Sequence, residues 1–203
     1  MCRTIGELRE SHILPRWIYK ATNLINSPDG VNLSYNTKTN ERSTSAIKGD
    51  GLKQENYLCD YCERLLNNKY ENYSGGIFFN VDYSTNNGLF EHFPDRTFNM
   101  GYALRKNVDY TKLKLYFLSI IYRASNTTLV EFEHIKLHAK DNERIREMIL
   151  NGDAGHETEY PISILIPDTY NDSDLQQIVP LRQLPGHDNY GYFYFLSFGL
   201  YLF

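Results

Sequence analysis

Three cysteines and one histidine are the residues best suited to chemistry in this chain of 203 residues. Cys59-Asp60-Tyr61-Cys62 is a C-x-x-C step that brings two thiols onto one tight turn, and Cys2 can add a third from the chain start. Thiolates are favoured structural ligands of zinc, which takes four such donors in a tetrahedron. One knuckle is complete here, and the sequence shows no fourth ligand. A lone C-x-x-C also serves as a redox pair or as two buried structural cysteines. The thioredoxin-like version expects a βαβ setting, which the flanking sequence lacks. Three cysteines, two of them so closely spaced, argue against a disulfide framework and for a reducing compartment.

His12 follows Ser11, precedes the apolar pair Ile13 and Leu14, and lies ten residues beyond Cys2, near the knuckle. An imidazole accepts a proton from water near neutral pH, the step that phosphodiester hydrolysis requires. A histidine on a strand also serves as an ordinary structural residue. His134 and His138 have i, i+4 spacing, but the segment between them reads as strand as much as helix, and no third ligand accompanies them.

The elements that must position these groups follow from pattern. Pro15 disfavours helix at Leu14, so an extended strand through His12 to Leu14 is expected. Residues 23–51 are rich in Asn, Ser, Thr and Gly and read as a long loop, either substrate-facing or a tolerated insertion. An apolar entry, the C-x-x-C turn and a helix carrying Leu65, Leu66 and Lys69 to Tyr73 come next. After Gly75-Gly76 the run IFFNVDY alternates as a strand does, followed by a Gly, Asn and Pro-rich stretch to Asp95. Leu113, Phe117, Ile120 and Ile121 recur at helical spacing in a buried helix over 110–124, with Thr111 where a cap would sit. A second helix is expected from Asp141 to Asn151, capped by Asp141 and ended by Gly152. YPISILIP reads as a strand bounded by prolines, and the aromatic stretch 190–203 as a buried strand or two. The class is α+β, divided as a knuckle region over 1–74 and an α+β region over 75–203, or one continuous domain.

The order C…L-x-x-S-H-I-L-P, a variable loop, then L-C-x-x-C-E resembles HNH-type nucleases of the ββα-metal class, in particular a bacterial group with an S-H-I-I-P motif. The motifs cover about the first 72 residues; LKLYFLSIIYRAS, ERIREMILNGD and the YP strand extend the likeness more loosely. In that family two C-x-x-C pairs hold a structural zinc. The resemblance implies that Cys2, Cys59 and Cys62 are zinc ligands, with Cys2 the second member of the first pair. The first member falls before Met1, so either the given chain starts late or three thiolates are completed by water or another group.

The resemblance further implies that His12 is the general base of an endonuclease, with magnesium or another divalent cation stabilising charge on the scissile phosphate. Many HNH enzymes carry a metal-binding Asp, Glu or His just before the base, where this chain has Ser11. The helix after the knuckle, which usually offers Asn or His, here offers Glu63, Asn67, Asn68 and Glu71. Glu63 and Asn67 are four apart, share a helix face, and are the candidates for the cation. Glu63 equally suits the positive end of a helix. Arg16, Lys20 and Arg64 are near enough in sequence to the motif to touch phosphate, or are ordinary surface cations. The alternative is a degenerate relative that keeps the zinc and binds nucleic acid or a protein partner. Bacterial HNH-like proteins often belong to phage or antiphage systems, which is as far as the resemblance goes on biological role.

Composition sets outer bounds. A hydrophobic content of 41% supports a real core, and the formal net charge of -4 with a pI near 5.9 advertises no global basic face for nucleic acid. The acidic surplus belongs to residues 73–203, and the 17 Tyr and 11 Phe are scattered as core residues are, though they could also stack on unpaired bases. No apolar run approaches the ~18 to 20 residues of a membrane span, and no leader pattern opens the chain, so a cytoplasmic location without membrane association is expected.

Overall fold

The computed structural model describes residues 1–3, 6–21, 31–36, 41–46, 51–79, 90–95, 100–162, 179–183 and 192–195. The chain is of mixed α+β type. Strand β1 (Leu8–His12) runs antiparallel to β4 (Lys53–Cys59), and β4 passes without a loop into helix α2 (Asp60–Leu65). Between the paired strands lie helix α1 (Arg16–Ala21) and a hairpin of β2 (Val31–Asn36) and β3 (Glu41–Ala46).

The β1–β4 register is interrupted. Ser11 faces Gln54 and Arg9 faces Leu58, so two steps on β1 match four on β4. Asn56, inside the surplus, takes the left-handed conformation at φ 52°, which a short polar side chain tolerates better than most. The bulge is where the side chain of Tyr57 leaves the strand to reach the helical layer.

Helix α2 continues through a π-helical turn (Leu66–Glu71) into α3 (Asn72–Phe79). Leu65, Leu66 and Tyr70 bury one side of this long element, and the Tyr70 hydroxyl donates to Ile149 O at 2.7 Å. The strand expected over IFFNVDY is corrected at Ile77–Phe79, which belong to α3; residues 80–83 lie outside the described residues. Gly75 lies inside the helix against the Trp17 ring, and a Cβ there would meet the indole at 3.4 Å, an ordinary contact distance. Trp17 in turn stacks on Tyr116 with centroids 5.8 Å apart.

Two other expectations change. The strand through His12 stops there, and Ile13 and Leu14 are buried at a bend, while Pro15 immediately precedes α1 and its carbonyl accepts from Ile18 N at 3.0 Å. The stretch read as a loop over 23–51 holds the β2–β3 hairpin. Val31, Leu33 and Tyr35 alternate there with Asn32, Ser34 and Asn36, a period-two pattern hidden by the polar composition. In a second hairpin β5 (Phe90–Asp95), at the end of the Gly, Asn and Pro-rich stretch, pairs with β6 (Met100–Arg105).

Helix α4 (Tyr110–Asn126) is central and buried on nearly all sides from Lys114 to Ser125. Its cap is Asp109, not Thr111: the Asp109 carboxylate accepts from Lys112 N at 3.1 Å, and that hydrogen bond holds the carboxyl below the usual range. Helix α5 (Ala139–Asn151) begins two residues before Asp141, which sits in its first turn and accepts from the Tyr160 hydroxyl at 2.7 Å. Gly152, at φ 71°, ends it as expected, with the Asp153 amide returning to Met148 O. One buried cluster joins Ile13, Ile18 and Leu58 to α4 and to Ile145, Met148 and Ile149 of α5.

Residues 160–162 are irregular, and 163–167 of the expected YP strand lie outside the described residues. Within the aromatic stretch 190–203, β8 (Tyr192–Phe195) pairs antiparallel with β7 (Val179–Gln183). Among the described residues no helix is long and apolar enough to cross a membrane.

Candidate metal centre and its polar neighbours

The end of β4 and the start of α2 place Cys59 at the helix cap and Cys62 in the first turn. Cys62 is fully buried; Cys59 and Cys2 are half-buried. The three Sγ atoms lie within 4.8 Å of one another, with Cys2 and Cys59 at 3.2 Å, and none of the three is in a disulfide. Zinc–sulfur bonds of about 2.3 Å in a tetrahedron imply sulfur separations of roughly 3.8 Å, so this donor set fits a zinc-type cation with little adjustment. It is the only such cluster of His, Cys, Asp or Glu among the described residues, and a fourth protein ligand is not found among them.

Cys2 is delivered by the helical layer. Arg146 of α5 donates to Met1 O at 3.2 Å and pairs with Glu143 through two nitrogens at 3.0 and 2.6 Å, while Arg3 reaches the same carboxylate. Burial pushes the Cys62 thiol up to about 12, with side-chain hydrogen bonds to Cys2 and Cys59 adding to the rise. A metal-free Cys62 therefore keeps its proton at neutral pH, and a cation must displace it. A pocket of about 490 Å³ bounded by Gly6, Glu7, Arg9, Cys59, Asp60 and Tyr61 adjoins the site.

On the other side of α2, Ser11 is fully buried and its hydroxyl donates to Glu63 Oε1. The carboxylate thus lies against the residue that precedes His12. Because strand side chains alternate, His12 leaves β1 on the face opposite Ser11, and it is half-buried. Asn67 is exposed one turn beyond Glu63. Arg64 is exposed and pairs with Asp60 at 2.8 Å, a carboxylate it shares with Arg9 at 3.3 Å. Arg16 is exposed at the start of α1; Lys20 belongs to the same helix, and its side chain lies outside the described set. His134 stands in the turn after a short 3-10 helix (Val130–Phe132) and His138 just before α5, so the two share no helix face.

Sequence reasoning missed Arg123. This arginine of α4 is buried, and its Nη1 donates to His12 O at 2.9 Å while Nε donates to Ser119 O at 3.3 Å. Its Nη2 lies 2.7 Å from Glu71 Oε1, a charge contact whose angle falls outside hydrogen-bond geometry. The Tyr57 hydroxyl donates to Arg123 O at 2.6 Å, and burial pushes that phenol well above its usual value. The available signal was a lone arginine in the otherwise apolar run FLSIIYRA.

No protein-family model, no curated protein and no solved structure matches this chain.

Proposed function

We propose that this protein is a metal-dependent endonuclease of the HNH-like ββα-metal type, in which zinc at Cys2, Cys59 and Cys62 is structural and His12 is the general base. One observation carries the reading: two antiparallel strands lead into a helix, and His12 ends the first strand. His12 would take a proton from the attacking water as the phosphorus–oxygen bond forms. Glu63 is the carboxylate available to a divalent cation, with Asn67 one turn along; magnesium is commonly held by one or two carboxylates and the substrate phosphates themselves. When bound, that cation supplies charge stabilisation at the phosphate. Arg16, Lys20 and Arg64 are the cations offered to the nucleic-acid backbone, and DNA is the expected substrate. A reducing cytoplasm suits the free thiols.

The test is cleavage of supercoiled, linear and single-stranded DNA and of RNA, with Mg, Mn, Ni or Zn supplied in turn. His12→Ala is expected to lower the rate by about 100-fold to 10,000-fold with its melting temperature and zinc content intact. Unchanged cleavage in that variant removes His12 from the mechanism.

A second reading rests on Ser11. Where related enzymes carry a further metal ligand, this hydroxyl donates to Glu63 and occupies one of its oxygens. A protein that keeps the zinc only as a folding staple, and binds nucleic acid or a protein partner without cutting, accounts for that contact. Failure to cleave any of the substrates, with a gel shift retained, selects it.

A further inference from the structure

Arginine is costly to bury, and replacing a buried ion pair by apolar side chains of similar volume is often neutral or stabilising. Stability alone therefore does not explain Arg123, whose side chain is 2% exposed, or its partner Glu71, which is 15% exposed. The contacts suggest what does. Arg123 spends one nitrogen on its own helix, at Ser119 O, and another on the carbonyl of His12, 111 residues away. That carbonyl sits where β1 ends and the chain bends into the buried Ile13 and Leu14. Glu71 holds the third nitrogen, and it does so from the last position of the π-helical turn. A π turn inserts an extra residue into a helix and re-aims the side chains beyond it, and such turns concentrate at functional sites. The β4 bulge adds Tyr57, whose hydroxyl fastens the Arg123 carbonyl.

We propose that Arg123 and Glu71 are positioning residues for His12: the π turn aims Glu71 at the guanidinium, and the guanidinium fixes the backbone of His12, so that the imidazole is presented at one place on the strand end. The proposal rests on His12 being the reactive group of the nuclease proposed above. Four irregularities then serve one purpose, namely the bulge, the π turn, the buried arginine and the bend after His12.

The test is made on the full chain, purified under reducing conditions with its histidines isotopically labelled. In Glu71→Gln and in Arg123→Lys the His12 ring resonance is expected to shift and broaden, while those of the exposed His134, His138 and His156 stay in place. A lowered melting temperature with the His12 resonance unmoved overturns the proposal, since that is what a merely structural pair predicts. Should either variant fail to fold, Arg123→Met with Glu71→Leu, which removes both charges together, replaces it and is read in the same way. In a wild type that cleaves, both single variants are expected to lose about 100-fold in kcat, the scale of a 1 Å misplacement, with KM little changed. Wild-type kcat in Glu71→Gln overturns the proposal. A wild type that cleaves nothing defeats the nuclease reading alone, and the His12 resonance then decides whether the pair positions that ring.

Discussion

The long helical element from Asp60 to Phe79 meets the rest of the molecule in two contrasting ways. At its start, Cys59 and Cys62 meet Cys2 in a cluster of soft donors that a cation can complete. Further along, Glu71 meets Arg123 in a dry setting that is already electrically closed. In the first arrangement local spacing brings Cys59 and Cys62 together at a helix start, and Cys2 joins them from 57 residues away, its neighbour Met1 held by Arg146. The second depends on tertiary packing, since residues from β1, the π turn and α4 must arrive together. One end of the helix invites an external partner and the other excludes it.

Metal removal tests that contrast most severely. Protein purified under reducing conditions is expected to contain one zinc per chain, and chelation or Cys62→Ser to lower the melting temperature on the order of 20 °C, as read by calorimetry. The pH dependence has a definite sign. In the metal-free chain the neutral Cys62 thiol is favoured by folding, so its contribution is complete below its ordinary value near 9 and is lost as pH rises through about 12. With metal the thiol must ionise, so acid weakens retention of the ion; zinc held equally well at pH 5 and pH 8 would break the assignment.

The buried pair supplies the next largest effect. Arg123→Met alone strands the Glu71 carboxylate and is expected to cost about 3 to 5 kcal/mol in chemical denaturation, whereas the double change with Glu71→Leu returns close to wild-type stability. Additive losses would show that the two charges act separately. Asp109→Ala, at the cap of the helix that carries Arg123, is a smaller perturbation of about 1 kcal/mol. Because the Asp109 carboxyl is held below its usual range by the Lys112 amide, its contribution is present above the ordinary carboxylate value and disappears as pH falls through the depressed one. A full-sized loss from Asp109→Ala below that window would remove the capping carboxylate as its cause.

How much of this could be read from the sequence follows the same division. The pairing of Cys59 with Cys62, burial of α4 and the end of α5 at Gly152 were legible because each is written in local spacing or in one residue's conformational freedom, whereas Cys2 joins the pair by tertiary packing. The hairpin over 31–46 was hidden, since polar strands at period two resemble loops in composition, and the strand over 90–95 lay at the end of a Gly, Asn and Pro-rich stretch. Helical Ile77–Phe79 was mistaken for strand because Gly75-Gly76 reads as a breaker, whereas both glycines lie inside the helix. The contact of Ser11 with Glu63 spans 52 residues and that of Arg123 with His12 spans 111; nothing in either neighbourhood announces the other.

One modest contact has a wider consequence. The Ile13 amide donates to Leu52 O at 3.2 Å, and the Leu52 amide donates to the Tyr19 hydroxyl at 3.2 Å. Gly51, at φ 121°, lies so close to the Tyr19 ring that any Cβ would collide with it. The chain thus departs after Tyr19 and returns to the same spot, which makes the intervening stretch an excursion with a sealed base. Doubling the length of such an excursion costs only about 0.6 kcal/mol in closure entropy. A lengthened or trimmed stretch between Tyr19 and Gly51 is therefore expected to leave the β1–β4 alignment unchanged.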